Sequence, residues 1–259
     1  MAYVSVGAYK DMNHNWDKET IIVVHPMNAE GDPVIQQYIN GLKEEDFEPI
    51  EKFILENGQK YRGKKTELKV ILGSQIYRYP KQPTEEIANS IHKTITWSLG
   101  LRFFGLRNMT REDLWADSVM YLNFYNIENR KVEMDRSSAL ERGRIGIVSL
   151  YAGHLFTQHN NVVILHETLH TLGAMDRYDL FTGIPIFPEG YAEPDKRPLY
   201  PQTKAEIMGA YIPLNDKDFV AVEGFQDVVM NEVTAKELGW LGSGSKAKPV
   251  KFDVAEKLR

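Results

Sequence analysis

Residues 166–176 read HETLHTLGAMD, and this stretch carries most of the chemical information in the chain. On a helix, His166 and His170 lie four positions apart, which places them about 40° apart around the axis and on one face. Two imidazoles in that arrangement bind one metal ion without straining the backbone. Glu167 lies one position further round, where its carboxylate reaches a water on the metal rather than the metal itself.

The residues after the second histidine supply a third ligand. Gly173 can adopt a left-handed backbone conformation, so the chain can end the helix there and fold back. Asp176 then arrives as a carboxylate ligand suited to zinc, and Asp179 is the alternative carboxylate just after it. Three protein ligands and a water form the open arrangement of a catalytic zinc. A chance HExxH is expected on the order of 0.01 times in such a chain, which favours the metal site over two structural histidines.

The pattern HExxHxxGxxD resembles the extended zinc motif of the metzincin metalloproteases, in the snapalysin-like variant where Asp replaces the third His. Ile207-Met208-Gly209, further along the chain, is similar to the tight turn that places a Met beneath the zinc in this clan. The chain also resembles a little-described group of bacterial proteins in five sequence segments, which are HETLHTLGAMDRYD, EGYAEP, PLYPQ, AEIMG and TAKELGW.

This resemblance implies a role for each matching residue. The zinc ligands would be His166, His170 and Asp176, Glu167 would be the general base, and Met208 would form a hydrophobic floor without binding metal. The implied activity is that of a zinc-dependent endopeptidase acting on a protein or peptide substrate, with Glu167 taking a proton from the attacking water.

The chain departs from the clan just after the Met-turn. Astacin-like and serralysin-like relatives have a Tyr two residues after the Met, where it can stabilise the oxyanion. Here that position is Ala210, and Tyr211 follows one residue later. Tyr211 is therefore a candidate transition-state donor with packing as the alternative, and Tyr178 is a second candidate cleft residue.

The fold class implied by the resemblance is α+β and metzincin-like. It has a mixed twisted β-sheet with two or three helices above an active-site helix, and a smaller, mostly irregular C-terminal subdomain with one helix. The predicted divisions are residues 1–172, 173–241 and a flexible tail, 242–259. In this clan the strand equivalent to Ile145–Tyr151 is a sheet edge that pairs with extended substrate.

Apolar periodicity predicts the individual elements. Strands are expected at Ile21–His25, Leu68–Leu72, Val119–Tyr125 and Ile145–Tyr151, and helices at about 34–56, 83–104, 160–172 and 226–238. The helix over 83–104 is expected to bury a stripe of Ile87, Ile91, Ile95 and Leu99.

Composition excludes several classes of function. Lys+Arg 31 against Asp+Glu 36 gives 31 − 36 = −5, which argues against a nucleic-acid partner. We expect no membrane span and no signal peptide at the start, since no suitable apolar stretch is present. With Cys 0 there are no disulfides and no thiolate ligands. We expect a monomer, exported or periplasmic in a bacterium, and a structural calcium ion is an option at residues 215–218.

Two other interpretations stay open. In a peptidase of the other HExxH clan the third ligand is a Glu on a later helix, and Glu189 and Glu193 are the nearest candidates. Prolines around both make a helix improbable there. The alternative from a different class is a catalytically silent metzincin-fold protein that binds a protein or peptide partner, although a pure binder has no need of Glu167.

Overall fold

The structure is a computed structural model that describes residues 15–80, 91–129, 137–141 and 144–241. Its centre is a five-stranded mixed sheet with the strand order β2-β1-β3-β5-β4. The strands are β1 (Thr20–Met27), β2 (Leu68–Leu72), β3 (Ser118–Tyr125), β4 (Ser138–Leu140) and β5 (Ile145–Tyr151). Strands β1, β2, β3 and β5 are parallel, and β4 runs antiparallel to β5. The mixed α/β architecture that the sequence predicts is confirmed at this level.

Both faces of the sheet are covered, as parallel sheets require. Alternate residues of β1 point to opposite sides: Ile22 and Val24 enter the larger core cluster, and Val23 enters the smaller one. All eight residues of β3 are buried. The unbroken apolar runs that predicted these strands therefore reflect burial on both faces.

Helices lie on both sides of the sheet. They are α1 (Pro33–Gly41), α2 (Glu48–Arg62), α3 (Ile91–Arg107), α4 (Thr157–Thr171) and α5 (Glu232–Glu237). Side chains of α1, α2 and α4 belong to the larger cluster, and α3 packs on the smaller one through Leu101, Trp97 and Phe104. Three helices thus share the face on which α4 lies.

The predicted helix over 34–56 is two helices. The chain is extended at Leu42 and Lys43, where α1 ends and a short 3-10 turn leads into α2. Asp32 caps α1 by accepting a hydrogen bond from the Val34 amide, and Gly63, at φ 66°, ends α2 in the left-handed conformation. The apolar period runs across the break and hides it from the sequence.

The buried stripe predicted for the helix over 83–104 is wrong where the structure describes it. Ile95 and Leu99 are about half exposed, whereas Leu101 is buried. This helix carries apolar side chains on all of its faces, so periodicity alone does not predict which face packs against the core. The predicted start of this helix and Ile87 lie outside the described residues, as do the predicted tail at 242–259 and residues 1–14.

The strand Ile145–Tyr151 is predicted to the residue but is not the edge of the sheet. The short strand β4, which the sequence did not reveal, pairs with its first half from Ile145 to Ile147. Three residues are too few to show a period, so β4 leaves no signal in the sequence. The outer strand beside α4 is therefore antiparallel to its neighbour.

Residues 173–241 are mostly irregular, as predicted, with two small pairs of strands. Strand β6 (Ala205–Glu206) pairs with β9 (Val228–Val229), and β7 (Tyr211–Pro213) pairs with β8 (Phe219–Ala221). The predicted helix over 226–238 is wrong in its first half, because 228–229 pair with β6 instead. Within the described ranges, no helix has the length and apolarity needed to cross a membrane.

Candidate metal centre

Helix α4 presents the two histidines that the sequence predicts as ligands. The helix begins at Thr157, three residues before the predicted start at about 160. The Nδ1 atom of His166 is 2.9 Å from the Ile207 carbonyl oxygen. When Nδ1 donates to that carbonyl, Nε2 of the neutral imidazole keeps a free electron pair, as in metal-binding histidines.

The turn after α4 fixes the second histidine and delivers the carboxylate. Gly173 has φ 103°, in the region that favours glycine, and Ala174 donates its amide to the Leu169 carbonyl. The Ala174 carbonyl oxygen lies 2.9 Å from Nδ1 of His170. Asp176 follows directly, with its Oδ1 3.0 Å from Nε2 of His170. The predicted fold-back at Gly173 is therefore present.

Three ligand atoms converge at this point. The two Nε2 atoms are 3.1 Å apart, and Asp176 Oδ1 is 3.1 Å from His166 Nε2. Oδ1 is buried and lacks a well-directed donor within the described residues. Zinc bonds of about 2.0–2.2 Å place tetrahedral ligand atoms about 3.3 Å apart, close to these separations. Among the described residues, this is the group of His and carboxylate side chains that could hold a metal ion.

The electrostatics of the group favour a cation. Burial lowers the pKa of His170, but the Asp176 and Glu167 carboxylates outweigh it and raise that pKa to about 9. Burial raises the pKa of Asp176, but His166 and His170 outweigh it and lower that pKa below its usual range. The two carboxylates thus stabilise positive charge between them, and a metal ion would compete with a proton for the same place.

Glu167 lies next to the ligands and has the environment of a base. Its side chain is 7% exposed. Burial raises its pKa, Asp176 adds to that rise, and His166 and His170 oppose it. A carboxylate with a raised pKa takes up a proton more readily near neutral pH, which suits general base catalysis.

The structure brings Tyr178 closer to the ligands than it brings Tyr211. The Tyr178 ring stacks on His166 with centroids 6.1 Å apart, and its hydroxyl interacts electrostatically with the Asp176 carboxylate. Burial and the nearby Asp176 and Glu167 raise the Tyr178 pKa, so the phenol is neutral and can donate. The Tyr211 ring lies behind it, 6.2 Å from Tyr178 and 4.6 Å from Phe219.

The turn at residues 207–209 reaches the site through its backbone. Met208 is fully buried in the larger core cluster, and the Ile207 carbonyl just before it is the partner of His166. Glu206, also fully buried, accepts hydrogen bonds from the Met208 and Gly209 amides at 2.6 and 3.1 Å. Burial raises the Glu206 pKa, although its hydrogen bonds oppose that rise. Glu206 lies within the segment AEIMG, and no pattern in the sequence predicts a role for it.

Close backbone packing holds the loop that carries Asp176. The Arg177 amide donates to the Met208 carbonyl at 2.8 Å, and its guanidinium pairs with Glu237 of α5. A Cβ on Gly190 would stand 2.1 Å from the Arg177 carbonyl oxygen, and one on Gly209 would stand 2.4 Å from the Gly190 carbonyl oxygen. These contacts between distant segments gave no signal in the sequence.

The competing ligand candidates have other partners. The Asp179 carboxylate accepts from the Phe181 and Thr182 amides and closes a tight turn. Glu189 lies 3.3 Å from the Arg177 guanidinium, and Glu193 accepts from Thr203. No helix carries Glu189 or Glu193 in this described region.

The loop proposed for calcium is closed on itself. The Asn215 side chain accepts hydrogen bonds from the Lys217 and Asp218 amides, and it donates to the Asp218 carboxylate. Asn and Asp side chains commonly close turns in this way. Calcium at this loop stays a prediction.

Comparison with known proteins adds no relative. No family model matches the chain, and no curated protein is significantly similar to it in sequence. The functional interpretation therefore depends on the geometry described above and on the motif.

Proposed function

We propose that this protein is a zinc-dependent endopeptidase of the metzincin type. The observation that carries the proposal is the convergence of His166 Nε2, His170 Nε2 and Asp176 Oδ1 within 3.1 Å of one another. Both imidazoles have Nδ1 beside a backbone carbonyl, which leaves Nε2 to the metal. Three such ligands leave a position for water, as in catalytic rather than structural zinc sites.

Two further features support a metzincin-type enzyme. A buried Met-turn lies against the ligand His166 through the Ile207 carbonyl, in the order along the chain that the resemblance implies. The outer strand β4 lies beside β5, the strand that precedes α4, and its outer edge pairs with no other described strand, so an extended peptide could add a strand there.

The side chains around the ligands have distinct roles in hydrolysis. Bound zinc would supply Lewis acidity, which polarises a scissile carbonyl and makes water a better nucleophile near neutral pH. The Glu167 carboxylate accepts a proton from the attacking water and delivers it to the leaving amine nitrogen. The neutral Tyr178 hydroxyl interacts with the Asp176 carboxylate and can donate to it, which orients that ligand.

The test is to compare wild type with Glu167→Gln on a mixture of fluorogenic peptides, with zinc content measured on the same samples. We expect Glu167→Gln to keep its zinc and to lose hydrolysis by a factor of about 10²–10⁴. Glu193→Gln is the matched control. Glu193 is a candidate third ligand in the other HExxH clan, and its carboxylate accepts hydrogen bonds from Thr203. This variant should cleave as wild type does.

Three outcomes would contradict the proposal. If Glu167→Gln cleaves as fast as wild type, Glu167 is not the general base. If Glu193→Gln loses its zinc, the third ligand comes from the competing clan's pattern. If wild type binds zinc and cleaves none of the peptides, the catalytically silent protein that binds a partner replaces the enzyme.

A further inference from the structure

Glu206 is a fully buried carboxylate surrounded by donors. Its Oε2 accepts from the Met208 and Gly209 amides at 2.6 and 3.1 Å. Its Oε1 accepts from the Asn231 amide at 3.2 Å and the Thr234 hydroxyl at 2.8 Å. A buried charge is costly unless it is hydrogen-bonded in this way. The Glu206 carboxylate therefore has a role beyond filling volume in the core.

The peptide unit between residues 207 and 208 connects this carboxylate to the metal site. Its amide hydrogen, on Met208, points to Glu206 Oε2, and its carbonyl oxygen, on Ile207, lies 2.9 Å from His166 Nδ1. Because a peptide unit is planar, fixing its N–H end also fixes the direction of its C=O end. Glu206 and His166 therefore hold the two ends of one rigid group.

This arrangement is an indirect form of the way that hydrogen-bond partners orient metal-binding histidines. Metal-binding histidines usually donate their other N–H to a carboxylate or a backbone carbonyl, which sets the ring orientation and raises the basicity of the ligand nitrogen. Here the carbonyl has its own carboxylate at the far end of the peptide unit. Hydrogen bonds in such a chain polarise one another, so the negative charge strengthens the Ile207 carbonyl as an acceptor.

We propose that Glu206 is a positioning residue of the metal centre, acting on His166 through the peptide unit between residues 207 and 208. This inference rests on the metal site of the proposed function and not on its hydrolytic activity. In Glu206→Gln an NH2 group would replace one carboxylate oxygen and face the two donors of that oxygen, and the negative charge behind the peptide unit would be lost.

The test compares the zinc dissociation constants of wild type and Glu206→Gln by competition with a chromophoric chelator. We expect Glu206→Gln to bind zinc about 10–100-fold more weakly, as changes to the hydrogen-bond partners of metal ligands do. The visible spectrum of the cobalt-loaded protein should shift as well, because the field of the His166 nitrogen changes. A residue that only supports the fold would lower the melting temperature without moving either quantity.

The matched control is Asp113→Asn, which alters a buried carboxylate paired with His25 at 2.9 Å. His25 belongs to β1 and stacks on Tyr121, a member of the smaller core cluster, so this pair is separate from the ligand network. It should lower the melting temperature and leave zinc affinity and the cobalt spectrum unchanged. Comparison at equal loss of stability separates positioning from general destabilisation.

A milder variant decides the matter if Glu206→Gln does not fold. Thr234→Val removes the Thr234 hydroxyl from Oε1 and keeps the volume of the side chain. We expect this change to weaken zinc binding by less than the roughly 10–100-fold expected for Glu206→Gln. Unchanged affinity in Thr234→Val, or in a folded Glu206→Gln, would overturn the role of Glu206 while the metal site stands. If wild type binds no zinc, the metal site itself is refuted and the role of Glu206 falls with it.

Discussion

Replacing Tyr178 with Phe removes one hydroxyl and keeps the ring that stacks on His166. That hydroxyl interacts with the carboxylate of Asp176, the third of the converging ligands, so its loss should affect the metal site directly. Changes to partners of metal ligands cost about 10–100-fold in metal affinity. We expect the lower end, about tenfold or about 1.4 kcal/mol, because Tyr178 is only partly buried and water can replace its hydroxyl.

The assay is zinc competition with a chromophoric chelator at neutral pH, on metal-stripped Tyr178→Phe and Tyr211→Phe. Tyr211→Phe is the matched control, because the Tyr211 ring packs on Tyr178 and Phe219. Its affinity should stay within about twofold of wild type, as for changes away from key contacts. Unchanged affinity in Tyr178→Phe, or an equal loss in both variants, would refute this reasoning. A lower kcat at unchanged affinity in Tyr211→Phe would make Tyr211 the transition-state donor.

Three other perturbations have defined outcomes. In Gly190→Ala the new Cβ would stand 2.1 Å from the Arg177 carbonyl oxygen. We therefore expect denaturant unfolding to show a stability loss of about 1–3 kcal/mol, and zinc to bind more weakly. Wild-type stability together with wild-type zinc affinity would contradict the close packing. Asp113→Asn breaks a buried pair and should cost about 3–5 kcal/mol. Asp113 has a lowered pKa and His25 a raised one, so the pair's contribution is complete between pH 3.8 and 6.5. The pair's contribution to stability falls when the pH drops through the folded-state pKa of Asp113, and also when the pH rises through the folded-state pKa of His25. If the stability lost in Asp113→Asn does not vary with pH, that would be evidence against the pair. Removing the metal with a chelator should lower the melting temperature. Zinc added at about 1,000 times its dissociation constant should restore about 4 kcal/mol of folding stability. An unchanged melting temperature would mean that zinc does not bind the folded state.

The sequence predicted those parts of the fold that depend on local pattern. The strand Ile145–Tyr151 was located to the residue, because a strand buried on both faces is an apolar run with clear ends. Helix α3 was predicted with the wrong face, because Ile95 and Leu99 are as apolar as Leu101. The last helix was predicted too long, because pairing of β9 with β6 across the chain overrides the local preference of 228–229.

The same distinction holds in the candidate site. His166, His170 and Asp176 lie within eleven residues on one helix and its turn, so their spacing alone predicted their convergence. Glu206 and the Ile207 carbonyl come from another part of the chain, and their contact with the helix depends on packing that spacing does not encode. The outer strand β4 was missed for a related reason, since its pairing with β5 defines it.

The most direct test is elemental analysis of wild type and Asp176→Ala, purified identically without chelator. We predict about one zinc per chain in wild type and much less in Asp176→Ala, because the carboxylate supplies one of three ligands at 3.0–3.1 Å from the others. Wild-type protein that contains no zinc and takes up none at neutral pH would contradict the metal centre. His166 and His170 would then be structural residues of α4. The better interpretation would be a catalytically silent protein that binds a protein or peptide partner.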